Sequence, residues 1–263
     1  MSSNRAWRRP DRVAAILDRL AADGRVTVPE LADEFGVSLA TLRRDLQLLE
    51  DQRLIGRTHG GATALDVDYE IPMRYRTNQQ RDQKQSIARL AVSRIPLGAV
   101  VGLTGGTTTT EVARQLTVRD QLTVVTNALN IAAELAIRPK VKVLVPGGVA
   151  RPRSYELVGA WGENALRAIN IAIAVVGVDG IDADGGLTTH DEVEAQTNAA
   201  LVARARQVLV VADGSKIGRV HLARIAGIDS VDELITDPTA DPDAIDRLRA
   251  RGLTVTVTTL PAP

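Results

Sequence analysis

The chain has 263 residues, 44 % hydrophobic and 24 % charged, enough for two domains with apolar cores and a wetted surface. Its 32 Lys and Arg balance 32 Asp and Glu, so a whole-chain basic signature for nucleic acid is absent and any such surface must be local. The absence of cysteine excludes disulfides, thiol catalysis and Cys-based zinc sites, and no apolar run reads as a signal peptide or a membrane span, so a soluble cytoplasmic protein is expected.

Residues 11–23 carry Val13, Ile16, Leu17, Leu20 and Ala21 at helical spacing, and Gly24 ends the run. After a short β-prone stretch, Thr27 and Glu30 stand in the pattern of a capping box for a second helix, which Gly36 stops. Ser38 is a good N-cap for a third helix to about Asp51, with Leu39, Leu42, Leu46 and Leu49 on one face. Residues 54–62 read as two short strands around a turn. Residues 63–78 lack periodicity and read as a linker, and a helix returns over 79–95. Beyond it, short apolar runs at 99–104, 122–126, 141–145, 171–176 and 207–212 alternate with helical stretches, and a last pair of strands near 233–236 and 253–258 flanks a helix. Strand alternating with helix predicts βαβ units and a mainly parallel sheet. The expected organisation is a winged helix-turn-helix over 1–62, a linker over 63–78 and an α/β domain over 79–263. With 2 % aromatics, the cores must be built from Ala, Val, Leu and Ile.

The third helix carries the main argument. With Leu42, Leu46 and Leu49 inward, Ala40, Arg44 and Gln47 face outward, flanked by Arg43 and Thr41. Arg and Gln match the hydrogen-bonding edges of the DNA major groove, and Ala40 permits close approach. Ser38 and Thr41 can reach phosphates, where the helix N-terminus also favours an anion. Arg57 and His59 sit at the tip of the strand pair, and Arg5, Arg8 and Arg9 form a basic arm. The competing reading is a solvated face on an ordinary helical hairpin. Charge does not decide between them, because residues 1–60 hold ten arginines against nine acids.

Spacing decides. Ser38-x-x-Thr41-x-Arg43-Arg44-Asp45-Leu46-x-x-Leu49, followed by Arg57-Thr58-His59-Gly60-Gly61-Ala62, resembles the DNA-binding signature of the DeoR/GlpR family of bacterial transcriptional regulators. Further on, Lys84-x-x-Ile87-Ala88, Gly105-Gly106-Thr107-Thr108, Val124-Val125-Thr126-Asn127, Pro146-Gly147-Gly148, Gly185-Gly186-Leu187-Thr188 and Ala212-Asp213-Gly214-Ser215-Lys216 are similar, in order, to that family's sensor domain. The resemblance implies a body related to sugar-phosphate isomerases. It implies a double-stranded DNA operator and a phosphorylated sugar or polyol effector as partners, and no cofactor. A homodimer or homotetramer is inferred.

The candidate effector residues are Thr104, Gly105, Gly106, Thr107, Thr108, Thr109, Asn127, Gly147, Gly148, Asp179, Gly180 and Lys216. Thr104–Thr110 lies between a strand and a helix, where glycines and a helix N-terminus suit a phosphate or simply make a tight turn. Asn127 can meet a sugar hydroxyl or cap a helix, and Arg151 and Arg153 can meet phosphate or water. Lys216 can pair with an anion or with a neighbouring carboxylate. Asp179-Gly180 and Asp182 can bind hydroxyls or form an Asx turn. Thr104 and Asn198 stand where family members commonly carry Asp and Lys. The alternative is an isomerase with a DNA-binding head, but no Lys precedes Gly185-Gly186. His59, His190 and His221 have no metal-ligand spacing, so no metal site is expected.

Overall fold

The computed structural model describes residues 7–65, 70–77, 79–118 and 121–259, and the chain divides into two compact units, Met1–Gln79 and Gln80–Pro263. Arg5 of the expected basic arm lies outside the described residues.

The first unit runs α1 (Arg9–Asp23), β1 (Arg25–Thr27), α2 (Val28–Phe35), α3 (Leu39–Asp51), β2 (Gly56–Thr58), β3 (Gly61–Thr63) and α4 (Met73–Arg76). Gly24 and Gly36 end α1 and α2 in the left-handed conformation that glycine adopts without strain. Thr27 caps α2 by accepting the Glu30 N–H at 3.4 Å, and its hydroxyl donates to the Glu30 carboxylate at 2.7 Å. The three strands form one antiparallel sheet in the order β1-β3-β2. Gly61 is required there: a Cβ would lie 1.9 Å from the Val26 carbonyl oxygen. Ile16, Leu17, Leu20, Leu42, Leu46 and Leu49 are fully buried in this unit's core.

Two details depart from the sequence reading. Leu39, expected inward, is 44 % exposed, because the first turn of α3 projects past the core. The stretch expected as a linker contains α4 with Met73 buried, and Gln79 donates to Asp18 of α1 at 2.6 Å. Local apolar anchoring therefore holds part of 63–78 to the first unit.

The second unit runs α5 (Arg81–Arg94), β4 (Val100–Leu103), α6 (Thr107–Leu116), β5 (Leu122–Thr126), α7 (Leu129–Ala136), β6 (Val141–Leu144), β7 (Val149–Arg151), β8 (Glu156–Val158), α8 (Ala160–Arg167), β9 (Ile171–Gly177), β10 (Gly180–Asp182), β11 (Gly186–Thr189), α9 (Glu192–Val202), β12 (Ala205–Val211), β13 (Ala223–Ala226), β14 (Glu233–Thr236), α10 (Pro242–Ala250) and β15 (Thr254–Val257). Seven strands make a parallel sheet in the order β15-β14-β12-β9-β4-β5-β6. Alternate strand residues feed two cores. Val101, Leu103, Ile173 and Val175 pack with α5, α6 and α7, whereas Ala174, Val176, Val208 and Val210 pack with α8, α9 and α10.

The chain winds outward in opposite directions from the β4–β9 pair, so the topological switch point lies at their carboxyl ends, where open α/β sheets place ligands. The short β7–β8 hairpin and the antiparallel β10-β11-β13 sheet, neither anticipated from the sequence, stand at that end of the chain's strands.

Candidate functional site: a recognition helix and a strand-end polar cluster

In the first unit, Ser38 caps α3: its Oγ accepts the Thr41 N–H at 3.2 Å and lies 2.9 Å from Thr41 Oγ1. Ala40, Arg43, Arg44 and Gln47 are exposed, opposite the buried Leu42, Leu46 and Leu49. Gln47 Nε2 donates to Glu50 at 3.1 Å and to Asp51 at 2.9 Å. His59 is exposed at the tip of the β2–β3 hairpin, while Arg57 is half-buried.

The expected basic arm is differently employed. Arg8 pairs with Asp11 at 3.3 Å and Arg9 with Asp45 at 3.2 Å. Asp45, part of the helix signature, has a structural role that the sequence pattern did not assign. It is 2 % exposed and accepts from Arg12 Nε at 2.5 Å, with Arg12 itself 6 % exposed. This ion pair ties α3 to α1, because an unpaired charge at that depth would be costly. The signal was available: Asp45 falls one residue before Leu46 and one turn after Leu42, on the inward edge of the helix.

In the second unit the candidates divide. Thr104 is fully buried; its Oγ1 accepts the Gly177 N–H at 2.9 Å and so joins β4 to β9 at the switch point. Thr109 and Thr110 hydroxyls both donate to the Gly106 carbonyl, at 3.0 and 2.6 Å, and so stiffen the loop that opens α6. Thr107 is half-buried and Thr108 is 7 % exposed. Gly105 permits a close approach: a Cβ there would lie 2.2 Å from Glu156 Oε1. Gly106 has φ +123°, which favours glycine.

Asn127, at the end of β5, is fully buried. It does not cap the next helix. Its Nδ2 donates to Glu156 Oε2 at 3.0 Å and to Asn198 Oδ1 at 3.1 Å, and its Oδ1 has no partner among the described residues. Asp179, 7 % exposed, accepts from Thr189 Oγ1 at 2.9 Å, and the same hydroxyl lies 2.8 Å from Glu194 Oε1. Arg151, read as a phosphate partner or a solvated charge, instead bridges Asp191 at 3.0 Å and Glu194 at 3.1 Å.

Asn127, Glu156, Asn198, Glu194, Thr189 and Asp179 thus form one buried polar cluster beside the Gly105 loop. Burial, and then the negative charge of Glu194, pushes the Glu156 carboxyl well above the usual carboxylate range. Burial, followed by Asp179, likewise raises Glu194. Sequence reasoning missed Glu156, the centre of this cluster, because Ser154-Tyr155-Glu156 carries no motif.

Gly180 lies in β10, where a Cβ would sit 2.4 Å from the Arg219 carbonyl oxygen, so packing explains it. Asp182 accepts the Asp184 and Gly185 N–H groups at 2.9 and 3.0 Å, the Asx turn of the two readings, and these bonds lower its pKa. Gly147 and Gly148 adopt positive φ at the β6–β7 turn; a Cβ on Gly148 would meet the Val158 carbonyl oxygen at 2.7 Å. Lys216 is half-buried in a short turn after β12; Asp213 is spent on that turn, accepting the Ser215 N–H at 3.1 Å. The rings of His190 and His221 meet at a tilt of 47°, with centroids 4.0 Å apart.

Residues 12–67 match the DeoR-like helix-turn-helix domain, and residues 79–238 match the DeoR C terminal sensor domain. The HTH-type transcriptional regulator GlpR of Haloferax volcanii is 38 % identical over 235 residues, 89 % of this chain and 91 % of that one. The Glycerol-3-phosphate regulon repressor of Escherichia coli is 34 % identical over 222 residues, 84 % of this chain and 88 % of that one. Among solved structures, the full-length Sorbitol Operon Regulator SorC from Klebsiella pneumoniae is similar with a TM-score of 0.42 and 15 % identity, over 90 % of this chain and 97 % of that one. The sequence relatives are named regulators and repressors, which sets aside the isomerase alternative. The chain belongs to the DeoR family and is a DNA-binding transcriptional regulator, not an enzyme.

Proposed function

We propose that the protein is a cytoplasmic repressor of carbohydrate or related catabolic genes, and that a phosphorylated sugar or polyol controls its hold on a double-stranded DNA operator. Ser38, Ala40, Thr41, Arg43, Arg44 and Gln47 on α3 meet the major groove and its phosphates, with Arg57 and His59 touching the flanking backbone. The observation that carries the effector half is the convergence of Gly105, Asn127 and Asp179 at the switch point of the sheet, the position where such sheets bind ligands. The phosphate occupies the N-terminus of α6 near Thr107 and Thr108, where backbone N–H groups and the helix dipole favour an anion. Lys216 supplies a cation from the end of β12, and the buried cluster receives the hydroxyls.

The sensor units pair as a homodimer or homotetramer and set the spacing of two recognition helices, which must match operator half-sites by whole helical turns. The relative from Escherichia coli is named for glycerol 3-phosphate, which makes that compound a first ligand to try. A thermal-shift screen against phosphorylated sugars and polyols tests the effector half. A binder present at about 100 times its Kd adds about 2.7 kcal/mol of stability. The response should vanish in Thr108→Ala and Lys216→Ala. Retention in both variants would remove the pocket assignment.

A further inference from the structure

Three features of the strand-end cluster concern a proton. First, Glu156 is 2 % exposed and lies so close to Gly105 that a Cβ there would sit 2.2 Å from its Oε1. A carboxyl therefore stands against the backbone of the loop that, on the reading above, receives a phosphate. Second, Thr189 Oγ1 lies within 2.9 Å of Asp179 Oδ2 and within 2.8 Å of Glu194 Oε1. One hydroxyl holds one hydrogen, so a proton on either carboxyl would let both contacts be full hydrogen bonds. Third, Asn127 Oδ1 is buried without a partner among the described residues, although the Nδ2 of the same amide bonds Glu156. An acceptor in that position calls for a donor, which a ligand hydroxyl or a protonated acid supplies.

The groups that face Glu156 are Gly105 from the loop after β4, Asn127 from β5, Asp179 from the end of β9, and Glu194 and Asn198 from α9. Arg151 of β7 and Asp191 at the start of α9 complete the charged surroundings through Glu194. The cluster holds more acid than base.

We propose that effector binding in this sensor is linked to proton uptake, and that Glu156 takes the proton when an anionic effector settles against Gly105. The inference rests on the phosphate reading of that loop. The step is one solvent proton added to a Glu156 carboxylate oxygen; no other bond forms or breaks. A dianion and an ionised Glu156 cannot share this buried site, so the carboxylate must be neutralised for the effector to enter. Burial already holds the Glu156 carboxyl well above the ordinary range, so the protein favours its protonated form more than water does. Effector affinity therefore falls as pH rises. The sensor reports the metabolite and the acidity of its surroundings together.

Isothermal titration of the full chain tests this with sodium sulfate and with glycerol 3-phosphate. Sulfate stays a dianion across the range, whereas a phosphate ester titrates near pH 6. Between about pH 6 and about pH 9 the wild-type affinity for sulfate should fall by at least about tenfold, as linkage requires for a bound proton. Repeating the titration in buffers of different ionisation enthalpy should register protons taken up by the wild type, a readout that needs no variant. In Glu156→Gln the pH dependence should shrink to within about twofold. Binding by the wild type that is independent of pH, without proton uptake, overturns the proposal. An unchanged pH dependence in folded Glu156→Gln overturns the assignment to Glu156. If neither anion binds at any pH, the phosphate reading of the loop falls, and this proposal falls with it.

Discussion

Arg12 Nε donates to Asp45 Oδ2 at 2.5 Å, and both side chains are buried, so the helix that presents Arg43 and Arg44 is fastened to α1 by a charge pair shielded from water. Removing one partner leaves the other charge buried alone. Asp45→Ala should therefore destabilise the first unit by about 3–5 kcal/mol, read by urea denaturation. Arg8→Ala, which breaks a pair 81 % and 37 % exposed, should leave the midpoint unchanged. Equal effects of the two substitutions would contradict this account of the head.

Arg44 is exposed on the face opposite Leu42, Leu46 and Leu49, away from the buried core of the first unit. Arg44→Ala should weaken specific operator binding by about 1–3 kcal/mol in a fluorescence-anisotropy titration and leave the melting curve in place. An equal loss on random-sequence DNA would mean that Arg44 contacts phosphate and not a base.

Gly105 and Glu156 should behave as a coupled pair. Gly105→Ala drives a methyl into the Glu156 carboxyl, whereas a Glu156→Ala background removes the three atoms nearest to that methyl. A double-mutant cycle on stability should give a coupling of about 0.5–3 kcal/mol. Simple additivity would place Glu156 away from the loop.

The raised carboxyls also set a stability profile. Glu156 and Glu194 have folded-state pKa values above their unfolded values, chiefly because burial penalises the charged form. Their contribution is fully present below the unfolded value, about 4.3, and is lost as pH rises through the folded values. The second unit should therefore lose stability as pH rises above that unfolded value, and Glu156→Gln should reduce the loss. The measurement is the denaturation midpoint of both proteins across pH. A midpoint in Glu156→Gln that falls with pH as steeply as in the wild type would count against it.

Much of this was legible in the sequence, for identifiable reasons. The recognition helix announces itself because Ser38 caps it and Leu42, Leu46 and Leu49 repeat at helical spacing. The parallel strands are legible because Val, Ile and Leu run continuously where both faces are covered. The β7–β8 hairpin and the β10-β11-β13 sheet are not. Their strands are three or four residues long and mix Gly, Arg and Asp, so neither period two nor an apolar run stands out. The site was half legible. Gly105, Asn127 and Asp179 end strands or open loops, where ligands are expected. Glu156 could not be found that way, because only the hairpin brings it back across to Gly105. The ion pairs of Arg151 were hidden for the same reason: Asp191 and Glu194, at the start of α9 and within it, lie far along the chain.

The central claim is that a phosphorylated metabolite bound in the second unit governs the grip of the first on DNA. The most direct measurement is an operator titration by fluorescence anisotropy, with and without the phosphorylated ligand that the thermal-shift screen identifies. The account predicts a change in operator Kd of about 5- to 150-fold, the range of a 1–3 kcal/mol coupling, with no change for Thr108→Ala. An operator affinity that stays the same when the ligand saturates the sensor would contradict it.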